Sequence, residues 1–436
     1  MKDKVNSFLR KYGMHYESID IESNCREFIN EMDSGLKGKD SSLKMIPTYI
    51  GLGKDIPIDE PVIVMDAGGT NFRVATVYFD KDKKPVIENF KLYSMPGTNG
   101  EIGKEEFFET IAEYMEPVLD KSNKIGFCFS YATEIMPNKD GKLLYFCKEV
   151  RVKGVEGELI GENVLAAIKK KGYDANKSIV LLNDTVATLL GGKAAYPDRP
   201  FDSYIGFILG TGTNTCYIEE NKNITKVPSI ANTDGSMLIN TESGGFSKVP
   251  RGKLDIEFDS GTVNPGQYIF EKMISGGYQG GLILTVIKKA AEEGLFGKEC
   301  SNRIASLDSL ASKEIDDYLY YSYGQNKLAQ CCVSKADRLA LYYIIDNMIE
   351  RAARLVTANI AAVVLKTGKG TNPCMPVCVT AEGTTFYKSK LFRGKLDYYV
   401  KTYLNDDKKV YCDFVKADNA TLIGTAIAGL LNNPSA

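Results

Sequence analysis

At 436 residues the chain is long for a single hydrophobic core and suits two domains. Its 44% apolar and 25% charged residues are those of a soluble globular protein. With 54 Lys and Arg against 56 Asp and Glu there is almost no net charge to draw in nucleic acid or an acidic membrane surface, which points to a small-molecule partner.

The amino-terminal residues Met1-Lys2-Asp3-Lys4 lack the apolar core of a signal peptide, and no run of roughly 18 apolar residues follows, so a cytoplasmic protein with no membrane partner is expected. Ten cysteines without a CxxC pattern, two of them the adjacent Cys331 and Cys332, read as reduced buried thiols. His15 is the sole histidine, which removes His-based triads and leaves proton transfer to carboxylates or lysine.

In chain order, a short amphipathic helix runs from about Ser23, as N-cap, to Met32, with Cys25, Phe28, Ile29 and Met32 on one face. An extended lead-in over 41–50 is broken at Pro47. The stretch 62–77 is an apolar run ending in Asp66, a turn through Gly68, Gly69 and Thr70, and a second alternating run, which predicts a β-hairpin. Glycines let such a turn bring backbone N–H groups close to an anion, making it a candidate phosphate cradle, and Asp66 at its rim could hold magnesium through water.

Helical spacing follows from Gly103 to Asp120, then a buried strand over 125–129 and a polar loop over 130–134 in the position where open α/β sheets bind ligands. A helix over 157–171 leads to a strand over 178–182, which delivers Asp184 to the start of another helix. From position alone Asp184 is equally an N-cap and a catalytic carboxylate. Residues 204–218 repeat the strand, Gly/Thr turn and strand of the first hairpin, and 377–387 read as a third, looser copy. Recurring cradles argue for paired α/β domains that close on a nucleotide from both sides. Asn264 and Pro265 signal a helix start, with the helix passing Glu271 to Gly276. Further helices are expected over 282–292, 334–366 and 420–431, the second as buried scaffold; the region 293–327 carries no clear pattern.

Taken together, Asp66-Ala67-Gly68-Gly69-Thr70-Asn71-Phe72-Arg73, Asn183-Asp184-Thr185-Val186, Gly210-Thr211-Gly212-Thr213-Asn214, Asn240-Thr241-Glu242 and Asn264-Pro265-Gly266-Gln267 with Phe270-Glu271 resemble the hexokinase family, in its eukaryotic-type hexokinase and glucokinase branch. So do Lys44-Met45-Ile46-Pro47-Thr48-Tyr49 and Lys153-Gly154-Val155-Glu156-Gly157-Glu158, and the resemblance spans about residues 25–430 in family order. It implies an α/β protein of the actin-like ATPase (ribonuclease H-like) fold, with a small domain of residues 60–183 plus 420–436 and a large domain of 1–59 plus 184–419 closing on a cleft.

The same resemblance implies ATP-dependent phosphorylation of a hexose, D-glucose first, at the entry to glycolysis. Asp184 matches the general base and Lys148 a second catalytic position. Ser130, Cys147, Lys148, Asn183, Asp184, Asn214, Glu242 and Glu271 match sugar-binding positions. Asp66, Gly68, Gly69, Thr70, Asn71, Gly210, Thr211, Gly212, Gly383 and Thr384 match nucleotide-binding ones, and Mg2+ would be held through water by Asp66 and Asp184. Arg73, starting an outgoing strand, reads as a surface residue. Hexose and ATP are the implied partners, of a monomer or homodimer. Three departures cluster at the sugar: Cys147 where the family has Thr, Ala132 where it often has Pro, and Ser243 where it has Trp. They leave room for mannose, fructose or an amino sugar as substrate, and the rival of another class is a hexose-sensing regulator without catalysis.

Overall fold

The computed structural model describes residues 1–52, 55–146, 150–173 and 176–432. Two sheets organise them. The first, in the order Ser178–Leu182, Lys124–Phe129, Val62–Gly68, Asn71–Phe79 and Pro85–Ser94, has its first three strands parallel and its last two added antiparallel. The second contains Ser236–Asn240, Thr213–Glu220, Ser203–Leu209, Val377–Glu382 and Cys412–Val415 in that order, with the two-residue strand Ile46–Pro47 at one edge. Numbered along the chain within each sheet, both follow the order 3-2-1-4-5, so the repeat visible in the two Gly/Thr hairpins extends to whole sheets. The strands at the centre of both sheets are almost wholly buried Val, Ile, Leu and Phe, as expected of strands covered on both faces.

Two helices fill the space between the sheets. Asp184–Ala195 packs on the second sheet, where Gly206 leaves room for the Thr185 carbonyl, and Ala420–Asn432 packs on the first, where Gly126 leaves room for the Thr425 carbonyl. The two helices cross at Gly191 and Gly424, positions where a Cβ would collide with the backbone of Ala420 and Ala187. Lys104–Met115 and Ile160–Lys170 bury Phe107, Ile111, Val164 and Ile168 against the opposite face of the first sheet. The 33-residue helix Lys335–Thr367, opened by the expected capping box of Ser334 and Asp337, is buried scaffold on the other side. No helix among the described residues is long and apolar enough to cross a membrane.

Several sequence expectations are corrected. A helix that was not expected, Lys2–Lys11, opens the chain, and the helix expected from Ser23 is Ile21–Leu36, with Asp20 as N-cap in place of Ser23, its carboxylate accepting from the Ser23 N–H. The polar loop over 130–134 is partly the strand Ala132–Ile135, which pairs with Gly141–Tyr145. The third hairpin is not one: Val377–Glu382 pairs in parallel on both sides, and after Gly383 (φ 114) the chain enters the helix Thr384–Lys388. Asn264 and Pro265 do not open a helix. The Asn264 carbonyl accepts from Gln267 N and Lys272 Nζ, the chain passes through positive φ at Gly266 and Tyr268, and the helix begins at Ile269.

Candidate active site

Asp184 follows the carboxyl end of a parallel strand, which is where this class of sheet presents ligand-binding groups. The capping reading of Asp184 is settled against it. Asn183 is the N-cap, its side-chain oxygen accepting from Thr185 N at 2.9 Å, and Asp184 is the first helical residue. Thr185 Oγ1 donates to Asp184 Oδ1 at 3.2 Å. Burial pushes the Asp184 carboxyl up to about 6 against the Thr185 hydrogen bonds, and the nearby charges of Asp66 and Glu242 push the same way. The group is thus poised near neutrality, where a general base is most effective.

A cavity of about 170 Å³ collects Asp184, Asp66, Gly68, Asn71 and Ser130 with Arg73 and Thr421. Asp66 is buried, which raises its carboxyl above the usual range, while Arg73 at 3.2 Å and the Thr421 hydroxyl at 3.3 Å hold its Oδ2. Gly68 brings the turn close to Ser130 and Asp66, where a Cβ would stand 3.7 Å from Ser130 Oγ and 3.9 Å from Asp66 Oδ1. Gly69 has φ 60 and open space around it. Its carbonyl accepts from the Tyr131 hydroxyl at 2.9 Å, tying the first Gly turn to the segment that carries Ser130. Arg73, which reads from the sequence as a surface residue, keeps an exposed side chain and also lines the cavity.

Asn183 and Glu242 line a neighbouring cavity of about 50 Å³ with Asn240, Tyr131, Tyr145 and Tyr268. Glu242 has φ 55, and its Oε1 accepts from Asn240 Nδ2 at 2.8 Å and from Asn214 Nδ2 at 3.2 Å. Asn214 Oδ1 in turn accepts from the N–H groups of Thr215 and Ser243. Ser243, where the family has Trp, is buried, with its hydroxyl 3.2 Å from that of Thr215. Glu271 Oε2 accepts from Thr213 N at 3.0 Å. Gly212 and Gly244 make room for it: a Cβ would lie 2.7 Å and 3.2 Å from that oxygen. Phe246 stacks on Phe28 at 3.6 Å and meets Phe270 edge-on at 6.2 Å, which holds the backbones bearing Glu242 and Glu271 together.

The second Gly turn is equally tied. Gly210 N donates to Gly212 O, and the carbonyls of Gly210 and Thr211 accept from Gly276 and Gly277 N at the start of the helix Gly276–Glu292. Gly383 packs on the backbone of Leu209 and Gly210, so it adjoins this turn. Asn214, Glu242, Asn183, Asp184 and Asp66 therefore form a continuous run, each sharing a bond, a cavity or a chain link with the next, and Glu271 joins it through the N–H of Thr213, the residue before Asn214. Gly69, Thr70, Thr211 and Thr384 line neither cavity and face solvent. Cys147 and Lys148 lie outside the described residues. Asn240, Arg73, Tyr145, Tyr268 and Thr421 join the site although none of them was a candidate from the sequence. Asn240 had a signal, two residues before Glu242 on a strand, whereas Thr421 enters from a distant helix and has none.

Among the described residues no three His, Cys, Asp or Glu side chains converge as a direct metal site. Two carboxylates on one cavity, Asp66 and Asp184, do suit a small divalent ion that keeps most of its waters.

With this geometry in view, comparison with known proteins is informative. Two family models described as Hexokinase match, one over residues 4–194 and the other over 204–431. Rat hexokinase-2 is 29% identical over 450 aligned positions, covering 97% of this chain and 47% of its own length. Human hexokinase-2 is 30% identical over 423, covering 91% of this chain and 45% of its own. The chain thus spans about half the length of the curated relatives it matches. A hexokinase from Schistosoma mansoni, solved in complex with glucose, superposes with a TM-score of 0.79 at 25% identity over 98% of both chains. The fold is that of the actin-like ATPases, as the paired 3-2-1-4-5 sheets indicate, and two family matches that together take in both sheets and the run of site residues from Asp66 to Glu271 leave one assignment: the chain belongs to the hexokinase family.

Proposed function

We propose that this protein transfers the terminal phosphoryl group of ATP to the 6-hydroxyl of a hexose, D-glucose first, as a cytoplasmic enzyme at the entry to glycolysis. The observation that carries the reading is the position of Asp184, on one cavity with Asp66 and the first Gly turn and joined through Asn183 to the cavity of Glu242. Asp184 takes the proton of the attacking hydroxyl. Phosphoryl transfer is mostly positioning and charge stabilisation, so a carboxylate of modest basicity suffices. Asn183, Asn214, Glu242 and Glu271 hold the hydroxyls of the ring with Ser130, and Cys147 and Lys148 are the further sugar-binding positions that the family pattern implies. Buried amides and carboxylates of this kind reject a ligand that leaves them unpaired.

The turns at Gly68–Asn71 and Gly210–Gly212, with Gly383 and Thr384 on the adenosine side, hold ATP. Mg2+, held through water by Asp66 and Asp184, would neutralise phosphate charge. The two sheet-bearing halves, residues 60–183 with 420–436 and residues 1–59 with 184–419, act as domains that close on the sugar and exclude water. A second reading keeps the chemistry and changes the sugar to mannose, fructose or an amino sugar, because Ala132, Cys147 and Ser243 depart from the family at the sugar side.

The test is release of ADP by purified protein with Mg2+, ATP and each of several hexoses, beside Asp184→Ala. Turnover with glucose, and a loss of at least about 100-fold in kcat for the variant with ATP still bound, is expected. Near-normal turnover in Asp184→Ala removes this residue from the mechanism, and a preference for another hexose selects the second reading.

A further inference from the structure

Asp66 stands near the end of the strand Val62–Gly68 with its carboxylate buried, and the donors that meet it come from three separate parts of the fold. Arg73 Nη1 donates to Oδ2 at 3.2 Å from the paired strand, and the Thr421 hydroxyl donates to the same Oδ2 at 3.3 Å from the helix Ala420–Asn432. The buried Cys128 thiol, in the strand Lys124–Phe129, donates to the carboxylate as well. These holds differ in stiffness. The Arg73 side chain is long and 42% exposed, so it keeps much of its rotamer freedom. A thiol is a weak donor. Thr421 is short and stiff at χ1, and it stands in the first turn of a helix whose crossing at Gly424 has no slack. Two bonds on Oδ2 leave Oδ1 on the side of the first Gly turn, where a Cβ on Gly68 would stand 3.9 Å from it. Thr421 also lines the cavity shared by Asp66, Asp184 and Ser130.

We propose that Thr421 is the residue that aims Asp66: by holding Oδ2 from a rigid helix it presents Oδ1 to the cavity as one fixed acceptor for the water shell of a magnesium ion. The inference rests on the proposed function and deepens it by assigning a positioning residue from a helix far along the chain. Without Thr421 the carboxylate turns about its Cβ–Cγ bond and Arg73 follows it, so neither oxygen keeps a set place opposite Asp184. Mg2+ holds its waters in a regular octahedron and gives them up reluctantly, so an outer acceptor that has turned aside is lost to it. Ca2+ takes more ligands in a flexible shell and tolerates the displacement. Thr421 therefore matters more with Mg2+ than with Ca2+, a difference that packing alone does not make.

The experiment compares wild type with Thr421→Val, which keeps the shape and removes the donor, and Thr421→Ser, which keeps the donor. Calorimetry gives the affinity for the non-hydrolysable β,γ-imido analogue of ATP with Mg2+, with Ca2+ and with EDTA. One hydrogen bond to a carboxylate, long at 3.3 Å, is worth about tenfold. Thr421→Val should lose about tenfold in affinity with Mg2+ and no more than about twofold with Ca2+ or EDTA, while Thr421→Ser stays within about threefold of wild type throughout. In turnover, KM for MgATP should rise about tenfold in Thr421→Val with KM for the hexose within about twofold. Equal losses under all three conditions make Thr421 a packing residue, and a serine variant as weak as the valine one removes the hydroxyl from the effect; either result overturns the proposal. Wild type that binds the analogue no better with Mg2+ than with EDTA overturns it too. Wild type that turns over no hexose, yet shows the Mg2+-specific loss in Thr421→Val, fails the functional reading and upholds the positioning of Asp66.

Discussion

The carboxyl of Asp184 has to be ionised to accept a proton, and burial raises it to about 6. The sign of the pH dependence follows: the working form is complete above that value and is lost as pH falls through it. A profile of log kcat/KM for the hexose at saturating MgATP should therefore show an acid limb centred near 6, with a slope approaching one decade per pH unit below it. A limb near 4 would mean that the crevice leaves this carboxylate solvated. At this scale the sequence was legible where a polar residue sits at a strand end or in a glycine turn, as Asp184, Asn183, Asp66 and Asn214 do. It was silent on the partner of an exposed residue. Arg73 pairs with Asp66 across the first hairpin, a relation set by strand register that no spacing rule for a lone arginine contains.

Glu271 depends on a helix of only six residues, Ile269–Ile274, too short to hold its own direction. Its neighbour Lys272 supplies the anchor. The ammonium is buried, bonded to Asp259 Oδ1 at 2.5 Å and to the Asn264 carbonyl at 2.7 Å, while Arg251 meets the same Asp259 at 3.2 Å. This pair fixes one face of the helix, and the Phe28, Phe246 and Phe270 cluster fixes another. Removing one partner of a buried pair leaves the other charge uncompensated. Lys272→Met should cost about 3 kcal/mol in denaturant unfolding, with Arg251 keeping the loss near the lower end, and should raise KM for the hexose more than KM for ATP. Equal changes in both would show that the helix does not serve the sugar alone. The same lysine explains why Asn264 and Pro265 looked like a helix start and are not. A tertiary contact takes the Asn264 carbonyl, and the turn closes before the helix opens. The third hairpin failed for a like reason, since Val377–Glu382 has parallel partners on both edges and Gly383 is drawn against Leu209. Local patterns report local bonds, and both segments are shaped by distant ones.

The two sheets meet through two helices that cross backbone to backbone. Gly424 faces the Ala187 carbonyl and the Gly191 nitrogen, and Gly191 faces Ala420, so neither position has space for a side chain. One helix carries Asp184 at its first residue and the other carries Thr421, which holds Asp66. The crossing therefore sets the position of the candidate base relative to the first Gly turn, and a change there should act on chemistry as well as on stability. Gly424→Ala adds one methyl group against backbone that cannot turn aside. The expected cost is about 3 kcal/mol, as for severe overpacking, seen as a lowered unfolding midpoint. If the crossing also positions Asp184, kcat should fall in the surviving folded protein while ATP affinity, on the proposal that each Gly turn sets it, changes little. Ala428→Gly, one turn further along the same helix, is the control: it weakens the helix by roughly 1 kcal/mol without widening the crossing. Should both variants lose kcat in proportion to their stability, the crossing is only packing. A loss confined to Gly424→Ala makes it the joint through which the two halves align their reacting groups.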